Sequence, residues 1–265
     1  MISPDLDTYH TDPNTPVSWL AKLLPLTRFA FYGPVMEIVW RASRLAARGA
    51  LDDQAWLRSS NEELRVAEAL GMDVQVEGLE HLRRLDGPAV IVGNHMSTLE
   101  TFLLPGMVVP HRPVTFVVKD TLLTYPVFGH VMRSRNPIVV GRTNPREDFK
   151  AVMEGGEQRL AQGISVVVFP QTTRAERFDP ERFNSIGAKL AGRAGVPLIP
   201  LALRTDAWGN GRWLKDFGPV DPRRPVRFRF GAPLSPDRRG TEAHRQTVAF
   251  IQQALGEWGV EGLGG

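Results

Sequence analysis

The 265-residue sequence contains no cysteine. Disulfides, thiol nucleophiles and cysteine-built zinc sites are excluded together, so any chemistry falls to oxygen and nitrogen groups. Lysine is scarce as well, occurring only at 22, 119, 150, 189 and 215, and the formal net charge of +3 rests on arginine. Arginine suits phosphate and carboxylate recognition, but a genome rich in arginine codons gives the same bias, which alone decides nothing. Long apolar runs are missing too. The most apolar early stretch, residues 19–40, is interrupted by Lys22, Pro25, Arg28, Gly33, Pro34 and Glu37, short of the roughly 20 unbroken residues a membrane-crossing helix needs. Residues 1–14 are polar and lack the basic segment, apolar core and small-residue cleavage site of a secretory signal, so the chain is expected to stay inside the cell. There is no phosphate-binding P-loop, dinucleotide glycine fingerprint, paired-histidine zinc helix or serine elbow. No metal site is expected, no repeat is visible, and the only low-complexity segment is the short glycine-rich tail after Gly259.

What the sequence does contain is 42% hydrophobic residues, ample for one sizeable core. From residue 72 onward, short β-branched runs alternate with helical periods. Strands are expected at 72–76, 89–92, 114–118, 138–140, 164–169, 198–203 and 226–230, several of them apolar throughout, as strands covered on both faces are. Helices are expected at 98–107, 145–162, 185–194 and 241–258. The fold class is therefore α/β, a mostly parallel sheet covered by helices, with an N-terminal helical extension. The domain reading is 1–70 for a membrane-associating extension and 71–265 for the α/β domain. Within the extension, the aromatic and aliphatic residues from Trp19 to Trp40, followed by Arg41, Arg44 and Arg48, resemble an interfacial helix pair, although simple packing against the main domain accounts for them equally well. Residues 52–71 read as a polar connecting helix that ends at glycine.

The chemistry-bearing candidate is Asn94-His95-Met96-Ser97-Thr98-Leu99-Glu100, directly after the buried strand at 89–92, where open α/β sheets present ligands. On one continuous helix, His95 and Glu100 would diverge by roughly 140°. If His95 instead lies in a loop before a helix starting near Ser97, the carboxylate folds back, takes the proton of one imidazole nitrogen and turns the other outward, which makes a general base. Ser97-x-x-Glu100 also fits a capping box, so Glu100 has a structural reading, and the two uses are compatible.

This segment resembles the first motif of the glycerolipid acyltransferase family, which includes bacterial 1-acylglycerol-3-phosphate acyltransferases: histidine, four residues, aspartate. Three later segments match in order. Lys119-Asp120-Thr121-Leu122 through Gly141-Arg142 resembles the second, Phe169-Pro170-Gln171-Thr172-Thr173-Arg174 the third, and Gly195-Val196-Pro197-Leu198-Ile199-Pro200 the last. The resemblance implies a fatty acyl transfer from acyl-CoA or acyl-carrier protein to a lysophospholipid hydroxyl in phospholipid biosynthesis, at the cytoplasmic face of a membrane, with no cofactor. It assigns catalysis to His95 and Glu100 and acceptor binding to Lys119, Arg142, Thr173 and Arg174. The bland alternative for Arg174 is an ion pair with Glu176 or Asp179. Three departures stand out, Glu100 for aspartate, Gln171 for glutamate and Thr172 for glycine. The last two suggest a differently shaped pocket, so aminolipid or glycolipid acceptors, and a non-catalytic lipid-binding relative, stay open. Nucleic acid is not an expected partner: the Arg223, Arg224, Arg227, Arg229 cluster reads as an edge strand with one polar face.

Overall fold

The computed structural model describes residues 2–19, 27–171, 173–212 and 214–260. The expected strands all form, as β2 (Val74–Glu77), β3 (Val90–Gly93), β4 (Val114–Lys119), β5 (Ile138–Val140), β6 (Ser165–Val168), β7 (Leu198–Arg204) and β8 (Val226–Phe230). They are joined by β1 (Tyr9–His10), which the sequence did not announce. Spatial order is β1-β2-β8-β7-β3-β6-β4-β5. Only the β1/β2 and β7/β8 pairs are antiparallel; the other pairings are parallel.

The sheet is covered on both faces, which is why its central strands are apolar at nearly every position. Alternate residues go to opposite sides. Ile91, Val167, Ile199, Leu201 and Leu203 face one core, while Val90, Val92, Val166, Val168, Leu198 and Ala202 face the other. Onto the first core pack α1 (Thr27–Ala47), α2 (Asp53–Ala69) and α4 (Leu99–Val108); onto the second pack α6 (Pro145–Ala161), α7 (Ile186–Ala194) and α8 (Thr241–Glu257). Short helices α3 (Leu79–Arg83) and α5 (Phe128–Ser134) complete the set; at five and seven residues they fall below the length at which periodicity is readable.

Residues before 71 share the main core. Phe31, Val35, Val39, Trp56, Leu64 and Ala67 are buried together with Leu103, Phe116 and Leu201. From residue 27 the 19–40 stretch is one helix, α1, continuing through Pro34 to residue 47, and residues 20–26, in the first half of the expected helix pair, lie outside the described residues. Helix α2 starts where Asp52 accepts the Ala55 amide at 2.7 Å, and α6 where Asn144 accepts the Arg146 amide at 3.1 Å ahead of Pro145, both ordinary side-chain caps.

One expectation is corrected. Strand β8 is not an edge: it lies between β2 and β7. Its Arg-Phe alternation arises because Phe228 and Phe230 enter the first core, while Arg227 pairs with Asp73, and Arg229 reaches both Glu77 and Glu257. Alternation reports one apolar face and one polar face; it does not report whether neighbours flank the strand.

Candidate active site

Strand β3 ends at Gly93, and the next residue fixes the loop that follows. The Asn94 side chain donates to the Leu203 carbonyl (2.9 Å) and accepts the Leu203 amide (2.8 Å), extending the β3/β7 pairing by one side-chain rung. Helix α4 then begins at Leu99, so His95 sits in the loop, as the argument from helical geometry requires. Further along α4, Ser60 from α2 donates to the Phe102 carbonyl (2.6 Å) and accepts the Gly106 amide (2.8 Å), bridging the turn that contains Pro105 and pinning α4 to α2.

Glu100 is fully buried and accepts from five donors. These are His95 Nδ1 (2.8 Å), the Met96 and Ser97 amides (2.8 and 2.9 Å), Ser97 Oγ (2.8 Å) and Thr205 Oγ1 (2.6 Å). Burial by itself would raise its pKa, but the hydrogen bond and charge of His95, then Thr205 and the Ser97 amide, outweigh burial and leave it below the ordinary carboxylate value. An ionised Glu100 accepts only, so Nδ1 of a neutral His95 must carry the proton and Nε2 is left with its lone pair. The base-orienting and capping readings of Glu100 therefore coexist: the carboxylate holds the Ser97 amide while Ser97 Oγ accepts the Leu99 amide (3.0 Å).

The ring is clamped from outside the motif as well. It stacks on Phe169, centroids 4.5 Å apart and planes 8° from parallel, and the His95 amide donates to Gln171 Oε1 at 2.5 Å. A glutamate at 171 would offer the same acceptor, so the Gln171 departure keeps this bond; Thr172 lies outside the described residues. The amides of His95, Met96, Ser97 and Leu99 are all engaged by protein acceptors, the first by Gln171 and the others by Glu100 and Ser97. These four amides at the approach to α4 are thus not on offer to an oxyanion.

Two cavities, each of about 510 Å³, meet at His95 and share Thr101, Lys119, Leu122, Phe128 and Arg142 in their walls. The first is bounded by α1, by Trp208 and by residues 214–217, and the second by β4, β6, α6 and α7. An aromatic chain walls the first: Tyr32 and Trp208 meet edge to face with the buried Phe31 behind them, Phe217 lies against Tyr32, and Phe102 stacks on Trp208. Tyr32 donates to the Gly218 carbonyl at 2.8 Å; burial, chiefly, pushes its pKa up to about 12, so the phenol keeps its proton and its bond.

The expected acceptor-binding residues converge on the first cavity. Lys119, Arg142, Thr173 and Arg174 all line it, although they come from the end of β4 and from the loops after β5 and β6. Arg142 has a left-handed backbone, φ 58°, an unusual conformation for a side-chain-bearing residue. Burial lowers its pKa, Asp148 opposes this, and the nearby Arg174 adds to it, while the guanidinium stays a cation. Arg174 does have an acidic partner, but it is neither Glu176 nor Asp179. It pairs with Asp216 at 2.7 Å and donates to Thr98 Oγ1, from a segment no local reading of the 169–174 motif could reach. Lys215, also missed, donates to Thr173 Oγ1 at 2.7 Å.

The profile of the Acyltransferase family matches residues 73–204. A 1-acyl-sn-glycerol-3-phosphate acyltransferase of Pseudomonas aeruginosa is 33% identical over 168 residues, covering 63% of each chain. The chloroplastic enzyme LPAT1 of Arabidopsis thaliana, likewise a 1-acyl-sn-glycerol-3-phosphate acyltransferase, is 29% identical over 130 residues, which is 49% of this chain and 35% of the relative. The matches thus span less than two thirds of these relatives' own lengths. Among solved structures, the LPA acyltransferase PlsC from Thermotoga maritima superposes with a TM-score of 0.66 over 91% of this chain and 98% of that one, at 21% identity. That likeness establishes the mostly parallel, helix-flanked fold.

Proposed function

Starting from the premise that the chain belongs to the Acyltransferase family, whose profile spans residues 73–204, we propose that it transfers a fatty acyl group from a thioester donor to a hydroxyl of a lysophospholipid of the 1-acylglycerol-3-phosphate kind, in phospholipid biosynthesis. The observation that carries this reading is the His95 Nδ1–Glu100 contact at 2.8 Å, which leaves Nε2 as a base at the junction of two cavities. The relatives' activity supports the acceptor class.

The chemistry follows from that geometry. The acceptor hydroxyl gives its proton to Nε2 as its oxygen attacks the thioester carbonyl, and the imidazolium then protonates the departing thiolate. Acyl transfer is direct, with no covalent enzyme intermediate, metal or organic cofactor. Glu100 stabilises the transient imidazolium and holds the tautomer, and acid–base assistance of this kind contributes about 10² to 10⁴ in rate. The acceptor's phosphate enters the first cavity, toward Lys119, Arg142, Thr173 and Arg174; the donor, acyl-CoA or acyl-carrier protein, approaches from the second.

We place the reaction on the cytoplasmic face of a membrane, with the protein peripheral. No helix among the described residues is long and apolar enough to cross a bilayer. Yet Phe29 and Trp40 on α1 and Leu214 and Phe217 beside the first cavity are 77%, 49%, 65% and 50% exposed, and Arg44 stacks over Trp40. Exposed aromatic bulk beside cations suits an anionic lipid surface. The test is thiol release from palmitoyl-CoA and from palmitoyl-acyl-carrier protein across a panel of lysophospholipids and aminolipids. Acceptor-dependent release with a lysophospholipid is the expected result; silence with both donors across the panel refutes the enzymatic reading.

A further inference from the structure

Arg174, the cation best placed for the acceptor's phosphate, is already occupied by an anion of the protein's own. Its Nη1 lies 2.7 Å from Asp216 Oδ1, and Thr98 Oγ1 donates to the same oxygen at 3.0 Å. The two side chains are 14% and 26% exposed, so the pair is shielded but within reach of the cavity, which both residues line. Among the described residues lining that cavity, Lys119, Arg142, Arg174 and Lys215 are cations and Asp216 is the single carboxylate.

We propose that Asp216 is a specificity-determining residue for the acceptor headgroup, a built-in counter-anion that weakens capture of a bare phosphate monoester and so narrows its advantage over charge-balanced headgroups. This rests on reading the first cavity as the acceptor site. A phosphate monoester, carrying about −1.5 to −2 charges at neutral pH, meets a carboxylate already paired with Nη1 of Arg174, and like charges brought to one guanidinium repel where water is partly excluded. It therefore binds in competition with Asp216 for that guanidinium. A headgroup that carries an ammonium along with its phosphate brings its own cation to Asp216 and needs no displacement. Local sequence could not show this, because Asp216 and Arg174 are 42 residues apart.

The substitution Asp216→Asn retains size and an acceptor for Thr98 while removing the charge. Two measurements read it. Titration with inorganic phosphate is expected to give binding about tenfold tighter to Asp216→Asn than to the unaltered protein. The ratio of kcat/KM for a lysophospholipid with a bare phosphate over one with an ethanolamine phosphate headgroup is expected to rise about tenfold, and Asp216→Glu is expected to restore the original ratio. Phosphate binding that is unchanged or weaker in Asp216→Asn overturns the proposal, as does an unchanged ratio. If neither lipid turns over in the unaltered protein, the acceptor reading fails by itself, and the phosphate titration still decides whether Asp216 competes for Arg174. Thermal melting checks each variant, and Asp216→Ser replaces Asp216→Asn in both measurements should the latter melt early.

Discussion

On one side of the His95 ring, Glu100 is sealed from water and accepts from five donors, four of them within residues 95–97 and the fifth Thr205. On the other, Arg174, Asp216, Lys215 and Thr173 form a ring of longer, partly exposed side chains drawn from two segments far apart in sequence. The first region is built so that its charge cannot move: a buried carboxylate satisfied this completely is costly to disturb. The second is built for exchange, since its internal ion pair holds a cation that an incoming anion can claim. Groups proposed to do the chemistry are fixed by short-range bonds, whereas groups proposed to recognise the acceptor are held by contacts a ligand can replace.

Substitutions in the two regions should therefore differ in kind as well as in size. The largest effect is expected at the ring itself: His95→Ala should lower kcat by about 10³-fold with acceptor affinity nearly unchanged, read by steady-state kinetics. Glu100 comes next and should show in both activity and stability. Glu100→Gln should lower kcat about 10²-fold, because the ring loses its fixed tautomer, and Glu100→Ala should destabilise by about 2–4 kcal/mol, because buried donors lose their acceptor.

The depressed pKa of Glu100 adds a pH signature. Its folded pKa lies below its unfolded value of about 4.3, so its stabilisation is fully present above that value and is lost as pH falls through the folded pKa. Acid unfolding monitored below about pH 4.3 should accordingly be steeper for the unaltered protein than for Glu100→Gln. Equal slopes would show that the carboxylate is not the anchor described.

Arg174→Ala should act on recognition alone, raising KM for a phosphate-bearing acceptor about 10- to 100-fold while kcat and the donor's KM change little. A fall in kcat as deep as that of His95→Ala would erase the distinction between the two regions. The smallest effect belongs to the outer surface: replacing Phe29 and Trp40 with alanine should weaken co-sedimentation with anionic vesicles about fivefold and leave turnover of a short-chain, monomeric acceptor intact.

Much of this was legible in the sequence, for physical reasons. Strands covered on both faces are apolar at nearly every position, so β3, β4, β6 and β7 stood out as runs, and the His95–Glu100 spacing is meaningful only if the histidine precedes the helix, which forced the loop geometry. What stayed hidden depends on distant partners. Thr205 reaches Glu100 across 105 residues, Asn94 reaches Leu203 across 109, and Asp216 reaches Arg174 across 42. The stacking of Phe169 on His95 is likewise a contact between neighbouring strand ends. The placement of β8 failed for a related reason: an arginine face can meet water or, as here, Asp73, Glu77 and Glu257, and the two look alike in one dimension.

The central claim is that Glu100 holds His95 with the proton on Nδ1 and a bare Nε2 toward the cavities. Nitrogen-15 NMR of histidine-labelled protein at pH 7.5, with His95→Ala assigning the resonance, reads this tautomer directly. The account predicts a protonated, hydrogen-bonded Nδ1 and an unprotonated Nε2 for His95, with the preference lost in Glu100→Gln. A neutral His95 carrying its proton on Nε2 would contradict it, because that ring could not accept the acceptor's proton where the substrates meet.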